Sequence, residues 1–179
     1  MDRYICILRG INVGGKNPLP MAALRELFAA LGFQRVSTYI QSGNAVFDAE
    51  SSAEALEEKI TGAIRERFGF EVPVLLLTAS YLAEIVAGNP FLTKRSEDPA
   101  KLHVTFFSRQ PAGFAALDNV SYPPDEFVPG NRAVYLFCPE GYGNTKLNNT
   151  FFETKLKVTA TTRNWRTVLE LLKMASGAV

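Results

Sequence analysis

The sequence predicts an α+β fold, built from two tandem ferredoxin-like (β-α-β-β-α-β) units followed by a C-terminal helix. Three observations carry that prediction. Apolar runs and amphipathic stretches follow one another in the β-α-β-β-α-β order over residues 3–78. After a connecting helix, the same order starts again at Lys101. The two hairpins also echo each other, YIQSGNAVF against FVPGNRAVYLF, as a duplication would leave them. The units expected are residues 1–78 and residues 79–179, the latter including the connecting and final helices.

In the first unit, RYICIL (residues 3–8) is apolar on both alternations, as in a strand buried on both faces. Pro20 stands at a first helical position, where its missing N–H costs nothing. Leu24, Leu27, Phe28 and Leu31 follow at helical spacing, and Gly32 ends the helix. RVSTYIQ and NAVFDA are strands joined at Ser42-Gly43-Asn44, where Gly and Asn tolerate the positive φ of a tight hairpin. Ser51-x-x-Glu54 reads as a capping box, opening a helix with Leu56, Ile60, Ile64 and Phe68 along one stripe. Gly69 stops that helix, VPVLLLT is the fourth strand, and residues 79–87 form the connecting helix.

In the second unit KLHVTFF is a strand, Pro111–Leu117 a short helix, and EFVPGNRAVYLFC a hairpin turning at Gly130-Asn131. Leu147–Glu153 is helical and KLKVTAT is the last strand. Trp165, Val168, Leu169 and Leu172 form the apolar face of the final helix.

Hydrophobic residues make up 47% of the 179 and charged residues 21%, the balance of an ordinary globular protein. No apolar run approaches the roughly 20 residues that a membrane-spanning helix needs. Arg9 interrupts the N-terminal apolar stretch too early for a signal peptide, so a cytoplasmic location is expected. Cys6 and Cys138 lie in apolar strand-like runs and read as buried, reduced thiols. The single histidine, His103, rules out a metal site of the usual Cys/His kind and reads as a half-buried strand residue. Net charge is +1 overall, but the segment from Lys146 onward holds six basic residues against two acidic ones. That segment is either an anion-facing surface or a solvated tail.

Gly10 to Asn17, GINVGGKN, satisfies all but the last position of the phosphate loop G-x-x-x-x-G-K-[ST]. Asn17 lacks the hydroxyl that binds Mg²⁺. Pro18 pushes Asn17 towards an extended backbone, and Pro18-Leu19-Pro20 delays the helix by about one turn. A nucleoside-triphosphatase is therefore excluded. Topology nevertheless gives the loop a place, because strand 3 runs antiparallel between strands 1 and 2. The end of strand 1 and the strand 2–3 hairpin then share one sheet edge. Arg9, Asn12, Gly14, Gly15, Lys16 and Asn17 come beside Gln41, Ser42, Gly43 and Asn44. Two cations, several amides and glycine N–H groups suit an anion. With no carboxylate or histidine, the cluster suits binding better than acid–base catalysis. The competing reading is structural: Gly14-Gly15 makes a turn and Asn12 satisfies loop backbone groups.

TTRNWRT, residues 161–167, divides the same way. Thr162 or Asn164 can cap the last helix with Trp165 as a core anchor. Alternatively, Arg163 and Asn164 meet an anion at the helix N-terminus, joined by Lys146 and Asn148.

LRGINVGGKN, YIQSGNAVF and TTRNWRT, with GNTKLNNTFFE between the last two, resemble an uncharacterised bacterial family, domain of unknown function 1697. The resemblance spans nearly the whole chain. It implies an α+β protein with duplicated ferredoxin-like units, and brings no reaction, cofactor or catalytic residue.

Three functions follow as expectations. The first is a small-ligand protein for an anionic or nucleotide-like molecule at the loop 9–17/hairpin 41–44 edge. The second is a nucleic-acid module, which the near-neutral charge and the missing RNP aromatics argue against. The third is an interaction protein, because Ile5, Ile7 and Phe107 lie on strands apolar on both alternations. Both sheet faces would then be covered, by the two copies packing together or by a homodimer.

Overall fold

A computed structural model describes residues 1–177 and divides them into two compact units. One comprises residues 1–82 and the chain from Glu170, the other Ala83–Leu169.

The first unit runs β1 (Asp2–Leu8), α1 (Met21–Ala30), β2 (Gln34–Tyr39), β3 (Asn44–Ala49), α2 (Ala53–Phe68) and β4 (Val74–Thr78). Its antiparallel sheet has the order β2-β3-β1-β4. That order places β3 between β1 and β2, as the sequence requires. One face packs Tyr4, Cys6, Leu8, Ala45, Phe47 and Leu76 against Leu24, Leu27 and Phe28 of α1 and Leu56, Ile60 and Ile64 of α2. Phe47 stacks on Phe33 at 4.4 Å between ring centres and meets Phe28 edge-on at 5.1 Å. The opposite alternation, Ile5, Ile7, Val46, Leu75 and Leu77, is buried as well.

Four local details differ from expectation. Pro20 is the N-cap of α1 rather than its first helical residue. Ser52, not Ser51, caps α2, because its hydroxyl accepts from the Ala55 N–H while the Ser51 carbonyl takes the Tyr4 hydroxyl at 2.9 Å. Strand β2 stops at Tyr39, since Ile40 turns to φ +48°. Asn17 adopts φ +48° rather than an extended backbone, and its side-chain amide donates to the Gly10 carbonyl at 2.9 Å.

Along the chain, β4 is followed by α3 (Ala79–Ala87), in the segment expected to be helical, and the short α4 (Pro90–Thr93). The second unit continues with β5 (Leu102–Phe107), β6 (Glu126–Gly130), β7 (Ala133–Phe137), α5 (Asn149–Leu156), β8 (Ala160–Asn164) and α6 (Trp165–Ser176), which ends in the first unit. Its sheet order, β6-β7-β5-β8, repeats that of the first sheet.

The β5–β6 crossover departs from the β-α-β-β-α-β pattern. The helix expected at Pro111–Leu117 is only a 3-10 turn at Ala115–Leu117. Gly113 accounts for part of that, because a glycine inside a helix costs backbone entropy. The hairpin turns at Asn131-Arg132, one residue later than expected, with Arg132 at φ +51°.

KLKVTAT is not the last strand. Helix α5 runs on to Leu156, Lys157 closes it at φ +56°, and the strand starts at Ala160, whose N–H donates to the Glu153 carboxylate at 3.0 Å. Helix α6 buries Trp165, Val168, Leu171 and Ala175, whereas Leu169 is 43% exposed and Leu172 half-buried. No helix among the described residues is long and apolar enough to cross a membrane.

Candidate functional site

The loop after β1 is anchored at both ends. Ile11 and Leu19 are buried in the first core, so residues 12–18 are carried between two apolar anchors. Asn12, at φ +53°, clamps the loop shut: its Oδ1 accepts the Leu19 N–H at 2.8 Å while its Nδ2 donates to the Leu19 carbonyl at 2.8 Å. The same Nδ2 donates to the Gln41 carbonyl at 2.8 Å and ties the loop to the β2–β3 hairpin. Between these anchors Val13 and Lys16 form a tight turn, closed by the Lys16 N–H on the Val13 carbonyl at 3.0 Å. Gly14 and Gly15 supply its two positive φ values, +57° and +75°. Helix α1 begins only at Met21, so Lys16 is not at a helix N-terminus as a phosphate-loop lysine is.

The hairpin side is equally fixed. Asn44 is fully buried, and its Nδ2 donates to the Tyr39 carbonyl at 3.1 Å and to Ser42 Oγ at 2.8 Å. The Gly43 carbonyl accepts the Leu8 N–H at 2.8 Å. Arg9 is half-buried, and its N–H reaches the Pro73 carbonyl at 3.0 Å. Topology thus brings the loop and hairpin together. Asn12 spends its amide on backbone groups and Asn44 on the Tyr39 carbonyl and Ser42 Oγ, and the exposed groups left at the tip include Gly14, Gly15, Lys16 and Gln41. Val13, 64% exposed, and Ile40, 49% exposed, add apolar surface on the loop and on the hairpin.

The remaining predicted residues lie on the second unit. Lys146 places its ammonium 5.4 Å above the Tyr122 ring, a cation–π contact. Arg163 lies on β8 and donates to Thr161 Oγ1 at 3.2 Å and to the Thr162 carbonyl at 2.9 Å. Asn164 is a helix cap, with Oδ1 accepting the Thr167 N–H at 2.8 Å, and Asn148 caps α5 on the Phe151 N–H at 2.9 Å. Both amides are thus held by helix ends.

His103 stacks on Tyr142 at 4.8 Å, and burial pushes its imidazole pKa down, which favours a neutral ring. Cys6 and Cys138 are free and buried. Burial, helped by Asp125, pushes the Cys138 thiol up to about 11, so it is an inert hydrophobe. No group of three or more His, Cys, Asp or Glu among the described residues could hold a metal.

A cavity of about 380 Å³, lined by side chains from the 114–129 segment, has no counterpart among the expected sites. The signal lay in the same stretch, where Gly113 interrupts the expected helix and Phe114, Tyr122 and Phe127 follow no helical period.

Fold and site together define an α+β protein with two four-stranded antiparallel sheets and a clamped glycine turn at one sheet edge. The chain belongs to the family described as protein of unknown function (DUF1697), whose profile matches residues 1–135. It is also similar to the solved structure of the conserved bacterial protein SP0830 from Streptococcus pneumoniae. That likeness has a TM-score of 0.76 and 27% identity over 97% of this chain and 98% of the other. No curated protein matches.

Proposed function

We propose that this protein binds a small anionic or nucleotide-like ligand at the Gly14-Gly15-Lys16 turn, beside Gln41 and Ser42. The observation that carries the reading is the 2.8 Å bond from Asn12 to the Gln41 carbonyl, which fixes the glycine turn against the hairpin before any ligand arrives. A pre-set turn spares the ordering cost that a floppy loop would incur on binding. Glycine N–H groups and one ammonium then suit a phosphate or carboxylate. Lys146, Arg163 and Asn164 carry less of this reading, because Asn164 is a cap and Arg163 is engaged along its own strand. The geometry favours a small ligand over single-stranded RNA, since Tyr4 and Phe47 on the two central strands are buried.

The test separates the exposed contact from the structural one. Inorganic phosphate and adenosine monophosphate serve as probes in thermal-shift titrations of the parent protein, Lys16→Ala and Asn44→Ala. Lys16→Ala is expected to abolish the ligand-induced shift and to change the unliganded stability by less than about 0.5 kcal/mol. Asn44→Ala is expected to cost about 1–2 kcal/mol without ligand, because the Tyr39 carbonyl and Ser42 lose a buried donor. A full shift in Lys16→Ala, or none in the parent protein, would remove the ligand from this loop.

A further inference from the structure

The second unit carries a cavity of about 380 Å³, within the range of small-ligand pockets. Its origin is the short crossover. In the first unit the ten-residue α1 lays Leu24, Leu27 and Phe28 over the sheet. In the second unit a 3-10 turn of three residues takes that place in the chain and buries only Leu117. Phe114, Val120, Tyr122 and Phe127 therefore pack against the core yet stay partly buried, and all four line the cavity. Phe127 meets Phe152 edge-on at 6.2 Å, and Phe114 lies 6.4 Å from Phe107, so the walls are braced by core rings.

The charge lining the cavity has one sign. Asp118, Asp125 and Glu126 line it, and no lysine, arginine or histidine does. Arg95 matches Glu126 at 2.6 and 3.0 Å, which leaves Asp118 to the cavity and Asp125 to the wall it shares with the adjoining cleft. Among the described residues no cation pairs with Asp118 or Asp125.

From ring walls and unmatched carboxylates we infer that this cavity binds a small organic cation, an ammonium or guanidinium on a hydrocarbon body. Ring faces attract a cation electrostatically, the carboxylates neutralise it, and the apolar wall takes up its hydrocarbon part. An anion would meet the Asp118 and Asp125 carboxylates, and a neutral hydrocarbon would leave their charge unused. Lys146 shows the same chemistry next door: it lines the adjoining cleft with Tyr122 and Asp125 and sits over the Tyr122 ring. The site is separate from the glycine turn, and its fate does not touch the reading of that turn.

Calorimetric titration of the full chain tests this with 2-phenylethylammonium, its neutral counterpart 2-phenylethanol and the anion phenylacetate. The ammonium is expected to bind about tenfold more tightly than the alcohol, and phenylacetate not at all. Asp118→Asn and Asp125→Asn should each weaken the ammonium by about threefold or more, and added salt should weaken it further. Lys146→Met removes a like charge at Tyr122 and should tighten it. Equal binding of alcohol and ammonium would overturn the inference, because the cavity would then be an apolar hole. So would ammonium binding unchanged in the doubly substituted protein, or no ammonium heat at about 10 mM. If an Asp variant melts early, the ammonium–alcohol comparison in the parent protein decides alone.

Discussion

Gly43→Val is expected to cost about 3–5 kcal/mol and to lower the melting temperature by about 10 °C. Two penalties combine. Gly43 holds φ +83°, which a side chain with a Cβ takes up only at about 1–2 kcal/mol, more when β-branched. A Cβ there would also stand 2.8 Å from Leu8 Cβ and 2.9 Å from Ile11 Cδ1, both buried and unable to yield cheaply. Gly69→Ala isolates the first penalty. Gly69 has φ +79° at the end of α2, nothing lies within 4 Å of its Cβ position, and about 1 kcal/mol is expected. Differential scanning calorimetry of the two variants is the check. Equal losses would mean that backbone conformation alone, and not the close approach to Leu8, holds the hairpin against the loop.

Asp48→Ala is the second large effect, about 2–3 kcal/mol. The carboxylate is 5% exposed and lies between two guanidiniums, Arg3 at 2.9 Å and Arg35. Arg35 reaches it from φ +46° at the β2 irregularity, so local backbone conformation serves this contact. Arg3 also donates to the Met174 carbonyl at 3.2 Å, which ties the end of α6 to β1. Its side chain is 20% exposed, whereas that of Arg35 is 70% exposed, so water screens the Arg35 charge more than that of Arg3.

The acid side follows from the same geometry. Burial alone would raise the Asp48 pKa, but hydrogen bonds from Arg35 and Arg3, with their charges, outweigh it and hold the carboxyl below its ordinary value. A folded-state pKa below the unfolded one contributes stability that is full above about pH 4 and is lost as pH falls through the folded value. The gap in melting temperature between parent protein and Asp48→Ala should therefore be full at neutral pH and shrink below about pH 4. A gap independent of pH would show that the loss is packing rather than charge.

How much was legible varied by element. The stripe of α2, Leu56, Ile60 and Ile64, was readable because helical spacing records the buried face directly. The sheet edge shared by loop 9–17 and hairpin 41–44 was readable from connectivity, and the Asn12–Gln41 bond realises it. The employment of Asn12, Asn44 and Asn164 was not, because each amide has at least one backbone partner that spacing does not reveal. The end of α5 was missed for a similar reason. Lys157 closes the helix in a left-handed conformation that a lysine does not advertise, and the strand begins where Glu153 receives the Ala160 N–H.

The α+β class, the central strands, the long amphipathic helix and the adjacency of the glycine turn to its hairpin are written in the order and spacing of residues. These rest on periodicity and chain direction, which are local or topological. Which polar groups remain exposed at that edge, and that the 108–125 crossover leaves its own rings partly uncovered, emerge only once the chain is packed. Hydrogen-bond partners and empty volume arise when segments distant in sequence meet, and no pattern along the chain records them.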